Sequence, residues 1–283
     1  MRKSVTIPSP EGELRASLSL PEGRDLPALI VCHGAGEYRD NYNELCDYLA
    51  ARGIASLALD LYGHGESAGV RHAIDIPIWV SDIELACDYL ESIPQIGRGK
   101  LAAFGLSSGG TAILEAAIAE PRLRALIALD ATARNPLDLR GSLLFGSLTA
   151  AGWIKRLFTG TDLRVPLNRW LGFDVPVSDP EIRARLLVEP RMLESGNAYP
   201  FPAGSPSFFV STIRRVHRIT VPTLVLWGAE DKVDSPESGR LIYEALGCEK
   251  ELKVIEGNGH MGHVDRNRMA VFEATAGWIL RHL

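Results

Sequence analysis

A short apolar run that breaks into a glycine-flanked serine constrains this chain more than any other feature. Leu101-Ala102-Ala103-Phe104 shows no polar alternation, as expected of a central strand covered on both faces. After the turn, Gly109 to Glu120 is alanine-rich, carries apolar residues at 113, 114, 117 and 118, and stops at Pro121, which predicts a helix. Between them, Gly105-Leu106-Ser107-Ser108-Gly109 fits G-x-S-x-G, a sharp elbow that lifts a serine above a parallel sheet. The serine must hold a strained backbone, and side chains two positions before and after it would collide with strand and helix. Gly105 and Gly109 meet that demand around Ser107, whereas centring the elbow on Ser108 would put Leu106 at a crowded position.

The same strand-to-helix rhythm runs through most of the chain. Apolar runs at Ala28–Cys32, Ile54–Leu59, Leu123–Leu129 and Val221–Trp227, with a last strand at 251–255, alternate with helical patterns at 41–51, 77–92, 236–246 and 267–282. Residues 3–7 and 13–20 read as a leading hairpin. The expected class is α/β, with a mostly parallel central sheet flanked by helices. Between 131 and 217 the rhythm fails: eight prolines punctuate short apolar pieces such as Leu143-Leu144-Phe145 and Trp153 to Phe158. This stretch is expected to be an inserted, mostly helical cap over a core of 1–130 and 218–283. Trp153, Phe158, Trp170 and Phe173 suggest an apolar surface on it.

Composition narrows the function classes. The 283 residues are 46% hydrophobic and 23% charged, ordinary for a globular protein, and the net charge of -5 comes without a Lys/Arg cluster that would suit nucleic acid. No stretch reaches the roughly 18 apolar residues of a membrane span, and no apolar segment follows the basic N-terminal residues, so a cytoplasmic location is expected. Cys32, Cys46, Cys87 and Cys248 are scattered and are read as reduced packing residues.

In a parallel sheet the loops at the carboxyl ends of strands converge on one edge, where such folds place their sites. Ser107, Asp231 and His260 each follow a predicted strand. A serine hydroxyl becomes a nucleophile when a neutral imidazole takes its proton, the task assigned to His260, and Asp231 would fix that imidazole's tautomer. His263 as the base and Asp130 as the acid are the alternatives. His33-Gly34-Ala35-Gly36 closes another buried strand, and the Ala35 amide, with that of Ser108, would supply an oxyanion hole. His33 is expected to brace its loop, Asp60 and His64 to shape the floor of the site, and Glu230 and Asp234 to be solvated. His260, His263 and Asp265 lack further ligands at a metal-binding spacing, so no metal and no organic cofactor is expected.

With these residues assembled, the chain resembles the α/β-hydrolase superfamily, whose catalytic residues come in the order Ser, Asp, His. More narrowly, His33-Gly34-Ala35-Gly36-Glu37-Tyr38 with Tyr42 and Glu44-Leu45, followed by Gly63-His64-Gly65-Glu66-Ser67, is similar to the monoacylglycerol lipase and serine aminopeptidase-like (S33) branch. That resemblance implies an oxyanion amide at Ala35, a helical lid after Asp130 and hydrolysis of carboxylic esters, often with lipophilic acyl chains. The branch commonly carries histidine and methionine beside the nucleophile, where this chain has Leu106 and Ser108, which alters the wall of the acyl pocket. The expected partner is a small-molecule acyl ester or thioester. A thioesterase or acyltransferase, a carbon–carbon bond hydrolase and a catalytically silent receptor are the other readings.

Overall fold

The computed structural model describes residues 2–134, 137–167, 169 and 176–283; Trp170 and Phe173 lie outside them. Its main sheet has eight strands in the order β1-β2-β4-β3-β5-β6-β9-β10. β1 (Arg2–Ser9) and β2 (Gly12–Ser19) form the leading antiparallel hairpin, and β2 is antiparallel to β4 (Ala55–Asp60). From β4 onward every pair is parallel: β3 (Leu26–Cys32), β5 (Ile96–Leu106), β6 (Leu123–Leu129), β9 (Thr223–Gly228) and β10 (Lys250–Ile255). The mostly parallel sheet expected of an α/β-hydrolase fold is present.

The central strands read as unbroken apolar runs because both faces are covered. Odd and even positions of β3 and β5 sort into two cores: Ala28, Ile30, Leu101 and Ala103 pack with α2 (Ile76–Glu91) and α3 (Ser108–Ala119). Leu29, Val31, Ala102 and Phe104 pack with α1 (Asn43–Ala50) and the C-terminal helix, which runs from Arg268 to His282. Burying an aliphatic side chain in this way stabilises the fold by about 1.5–3 kcal/mol. Every strand of the parallel set therefore ends on the same edge, and the loops after β3, β5, β6, β9 and β10 meet there.

The segment between β6 and β9 differs from its sequence reading in two respects. The pieces at 143–145 and 153–158 belong to one helix, α4 (Leu139–Thr159), started by the Asp138 carboxylate accepting from Gly141 N–H and ended by Gly160 at φ 70°. Two short strands, β7 (Leu163–Val165) and β8 (Tyr199–Phe201), pair antiparallel behind it, followed by 3₁₀ turns. α4 is held by Phe145, which packs on Phe208 and Phe201 with ring centroids 4.2 and 6.0 Å away. Most of its other large apolar residues face outward, Trp153 and Phe158 being 58% and 81% exposed. Two further helices, α5 (Pro180–Leu186) and α6 (Pro190–Asn197), precede β8. With α7 (Pro236–Ala245) the final helix becomes α8. No helix among the described residues is long and apolar enough to cross a membrane.

Candidate active site

Ser107 sits between β5 and α3 at φ 51°, ψ -117°, a conformation that costs a non-glycine residue of order 1–3 kcal/mol. The strain is held by the Ser107 amide donating to Leu129 O at 3.0 Å and by Thr111 and Thr132 amides donating to Ser107 O. The two flanking glycines have the steric reason expected of them. A Cβ at Gly105 would stand 2.3 Å from Gly109 O, and one at Gly109 would stand 2.4 Å from His33 O. Any side chain at either position would therefore push strand and helix apart.

Asp231 and His260 are brought together. His260 Nδ1–H donates to Asp231 Oδ2 at 2.7 Å, and both side chains are buried. The second carboxylate oxygen, Oδ1, accepts from the amides of Val233 and Asp234, so the acid is fixed by its own turn. This leaves Nε2 of His260 as the nitrogen able to accept a proton. Among the described residues no hydrogen bond joins it to Ser107 Oγ. Nor do the amides of Ala35 and Ser108 have an acceptor within the described protein, which leaves two N–H groups free on the loops around Ser107.

The other expectations sort clearly. His33 braces its loop: Nδ1–H donates to Gly34 O at 2.7 Å and Nε2 accepts from Leu61 N–H at 3.0 Å, while burial lowers its pKa. Asp60 accepts from the backbone and side chain of Arg39 and from Glu66 N–H, and His64 bonds Tyr62 O. Glu230 is exposed as expected, but Asp234 is half-buried and accepts from Ser238 Oγ.

His263 is fully enclosed. Its Nε2 lies 3.2 Å from Glu37 Oε1, and its ring stacks on Tyr42 at 4.2 Å and 4°. Burial pushes the Glu37 carboxyl up, but the His263 ring and hydrogen bonds from Tyr42 and Gly34 outweigh it and hold Glu37 at about 2. Asp265 is equally committed, accepting from the amides of Ser178, Asp179, Gly259 and Arg266. It ties the loop that carries His260 to residues 178 and 179 of the segment between β6 and β9.

Sequence reasoning missed the Glu37–His263 pair, because nothing local in the sequence announces a contact between loops so far apart in the chain. It also left Asp130 as no more than a substitute acid. One oxygen of Asp130, one of Asp231 and one ring nitrogen of His260 all lie within 4.8 Å of one another. Burial first, then the neighbouring Asp231 carboxylate, raises the Asp130 pKa well above the usual carboxylate range.

Comparison with known proteins agrees with this architecture. The chain is 26% identical to human monoglyceride lipase over 276 residues, covering 92% of this chain and 84% of the lipase. It is 27% identical to caffeoylshikimate esterase of Arabidopsis thaliana, covering 96% of this chain and 83% of the esterase. The solved structure of the α/β hydrolase GrgF from a Penicillium species superposes with a TM-score of 0.82 at 20% identity, covering 100% of this chain and 99% of that one. The profile of the serine aminopeptidase S33 family matches residues 25–267. The chain belongs to that family of α/β hydrolases.

Proposed function

We propose that the protein is a serine hydrolase that cleaves carboxylic esters of lipophilic acyl groups through an acyl-serine intermediate. The buried 2.7 Å bond from His260 to Asp231, on the sheet edge that also carries the strained Ser107, is the observation that carries this reading. Lipase and esterase relatives support ester bonds as the target.

In this reading Ser107 Oγ attacks the ester carbonyl while His260 Nε2 takes its proton. In structures without substrate the bond between nucleophile and base is often long and tightens in the Michaelis complex. The tetrahedral oxyanion accepts from Ala35 and Ser108 N–H, each such donor being worth roughly 10²–10³ in rate. The imidazolium returns the proton to the leaving alkoxide, and a water molecule activated by His260 then frees the acid. Asp231 stabilises the imidazolium, and the chemistry needs no metal or organic cofactor.

Residues 131–217 act as the cap. The hydrogen bonds of Ser178 and Asp179 to Asp265, and the closeness of Ser195 to Gly36, support that reading. Beside Gly36 and Tyr38 lies a cavity of about 250 Å³ whose walls include Arg71, His72, Arg191 and Glu194. Its lining is largely polar and charged. The four free cysteines suit a reducing cytoplasm.

A fluorophosphonate probe with intact-mass readout tests the reading. One adduct on the wild type and none on Ser107→Ala is expected; an unlabelled wild type would favour a silent receptor instead. Turnover of p-nitrophenyl esters over acyl-CoA thioesters of equal chain length separates an esterase from a thioesterase.

A further inference from the structure

Asp130 is an unusual residue to find at the end of β6. It adopts φ 45°, is fully buried, and accepts from Gly228 N–H through Oδ1 at 2.8 Å. Asparagine could accept that bond equally well. Its Oδ2, also buried, has no hydrogen-bond partner among the described residues. A buried carboxyl oxygen left without a donor is selected against unless it has a task. Its neighbours define one: a carboxylate oxygen of Asp231 and a ring nitrogen of His260, all three atoms within 4.8 Å.

We propose that Asp130 is a positioning residue for His260, so that the acid side of the site is a pair of carboxyl groups, Asp231 in the hydrogen bond and Asp130 standing behind it. The proposal rests on the hydrolase reading above. In the resting protein Asp231 holds Nδ1–H of His260 through its hydrogen bond. Burial first, and the neighbouring Asp231 carboxyl second, favour the protonated form of Asp130. The charged and titratable groups around it are Asp231, Asp234 and His260; Gly228 N–H donates to its Oδ1, and the Gly262 amide stands nearby. Removing Asp231 leaves Asp130 beside the ring, and the unpartnered Oδ2 of Asp130 then accepts Nδ1–H after a small tilt of the imidazole. The redundancy comes from the sheet: Asp130 N donates to Leu226 O, which sets the ends of β6 and β9 side by side.

The test compares Asp231→Ala, Asp130→Asn and the double variant with wild type and Ser107→Ala, using p-nitrophenyl ester hydrolysis. Removing the acid of such a triad normally costs about 10⁴-fold. Asp231→Ala is expected to lose only about 10²-fold, and the double variant about 10⁴-fold. Equal activity in Asp231→Ala and the double variant would overturn the proposal. So would wild-type activity that is lost to a chelator and restored by a divalent metal, since the three atoms would then be a metal cradle. Proton NMR supplies a readout that a packing role would not move and that survives failure of the double variant to fold. A strongly deshielded Nδ1–H resonance of His260 persists in Asp231→Ala if Asp130 has taken it over, and its absence there overturns the idea. Activity retained in Ser107→Ala would instead break the hydrolase reading itself, so the two failures are distinguishable.

Discussion

Two buried histidine–carboxylate pairs sit three residues apart on the loop between β10 and α8, and they are built for opposite ends. In the His260–Asp231 pair the imidazole spends Nδ1–H on the acid, and Nε2 makes no hydrogen bond among the described residues. In the His263–Glu37 pair Nε2 itself faces the carboxylate, and Tyr42 covers the ring. Glu37 also accepts from Gly34 N–H, Tyr42 Oη and Asn41 Nδ2, so this pair joins the loop bearing Ala35 to the loop bearing His260. Burial and charge pairing are common to both, so neither marks a catalytic histidine. The ring nitrogen left free decides between base and brace.

The contrast can be broken by substitution. His260→Ala is expected to lower kcat/KM for a p-nitrophenyl ester by about 10⁵–10⁶-fold, as is usual for a base in a triad. His263→Gln is expected to cost less than about tenfold per folded molecule. Equal losses in the two variants would erase the distinction drawn here.

A smaller effect is expected on stability. Glu37→Ala strands Tyr42 Oη, the Gly34 amide and His263, and breaking a buried pair in this way costs about 3–5 kcal/mol in urea unfolding. The pH dependence has a definite sign. Glu37 sits at about 2 in the folded protein, below the ordinary glutamate value of 4.5. Its stabilisation is therefore fully present above that value and is lost as the pH falls through about 2. The gap between wild type and Glu37→Gln should close correspondingly on acidification, and a gap that widens in acid would contradict the pairing.

The smallest effect comes from Asp82, a buried carboxyl with no basic partner among the described residues, which accepts from Tyr62 N–H at 2.8 Å. Burial raises it to about 7. A raised carboxyl destabilises the fold as pH climbs from the ordinary range through the folded value, so Asp82→Asn is expected to add about 1–2 kcal/mol at pH 8 and little at pH 4. Stabilisation by Asp82→Asn at pH 4 equal to that at pH 8 would show that burial of charge is not the cause.

Where burial dictates residue type, the sequence was readable. The apolar runs of β3, β4, β5, β6 and β9, and the glycines at 105 and 109, are fixed by close packing, and the structure places strands and elbow where those signals stand. The joining of Asp231 to His260 was legible because parallel topology puts all these strand ends on one edge. The continuity of α4 was not, since its apolar residues face both the interior and solvent and give no single stripe, so its helical pieces read as separate. β7 and β8 are too short to carry an alternating pattern. Glu37 with His263, and Asp265 with its four amides, depend on loops meeting in space, and single polar residues in loops carry no record of their partners.

Rapid quenching of the reaction with a p-nitrophenyl ester, followed by peptide mass mapping, tests the centre of this account most directly. Wild type and His263→Gln are expected to carry the acyl group on the peptide containing Ser107, and His260→Ala to carry none. An acyl group on another residue, or full turnover with Ser107 never modified, would contradict it.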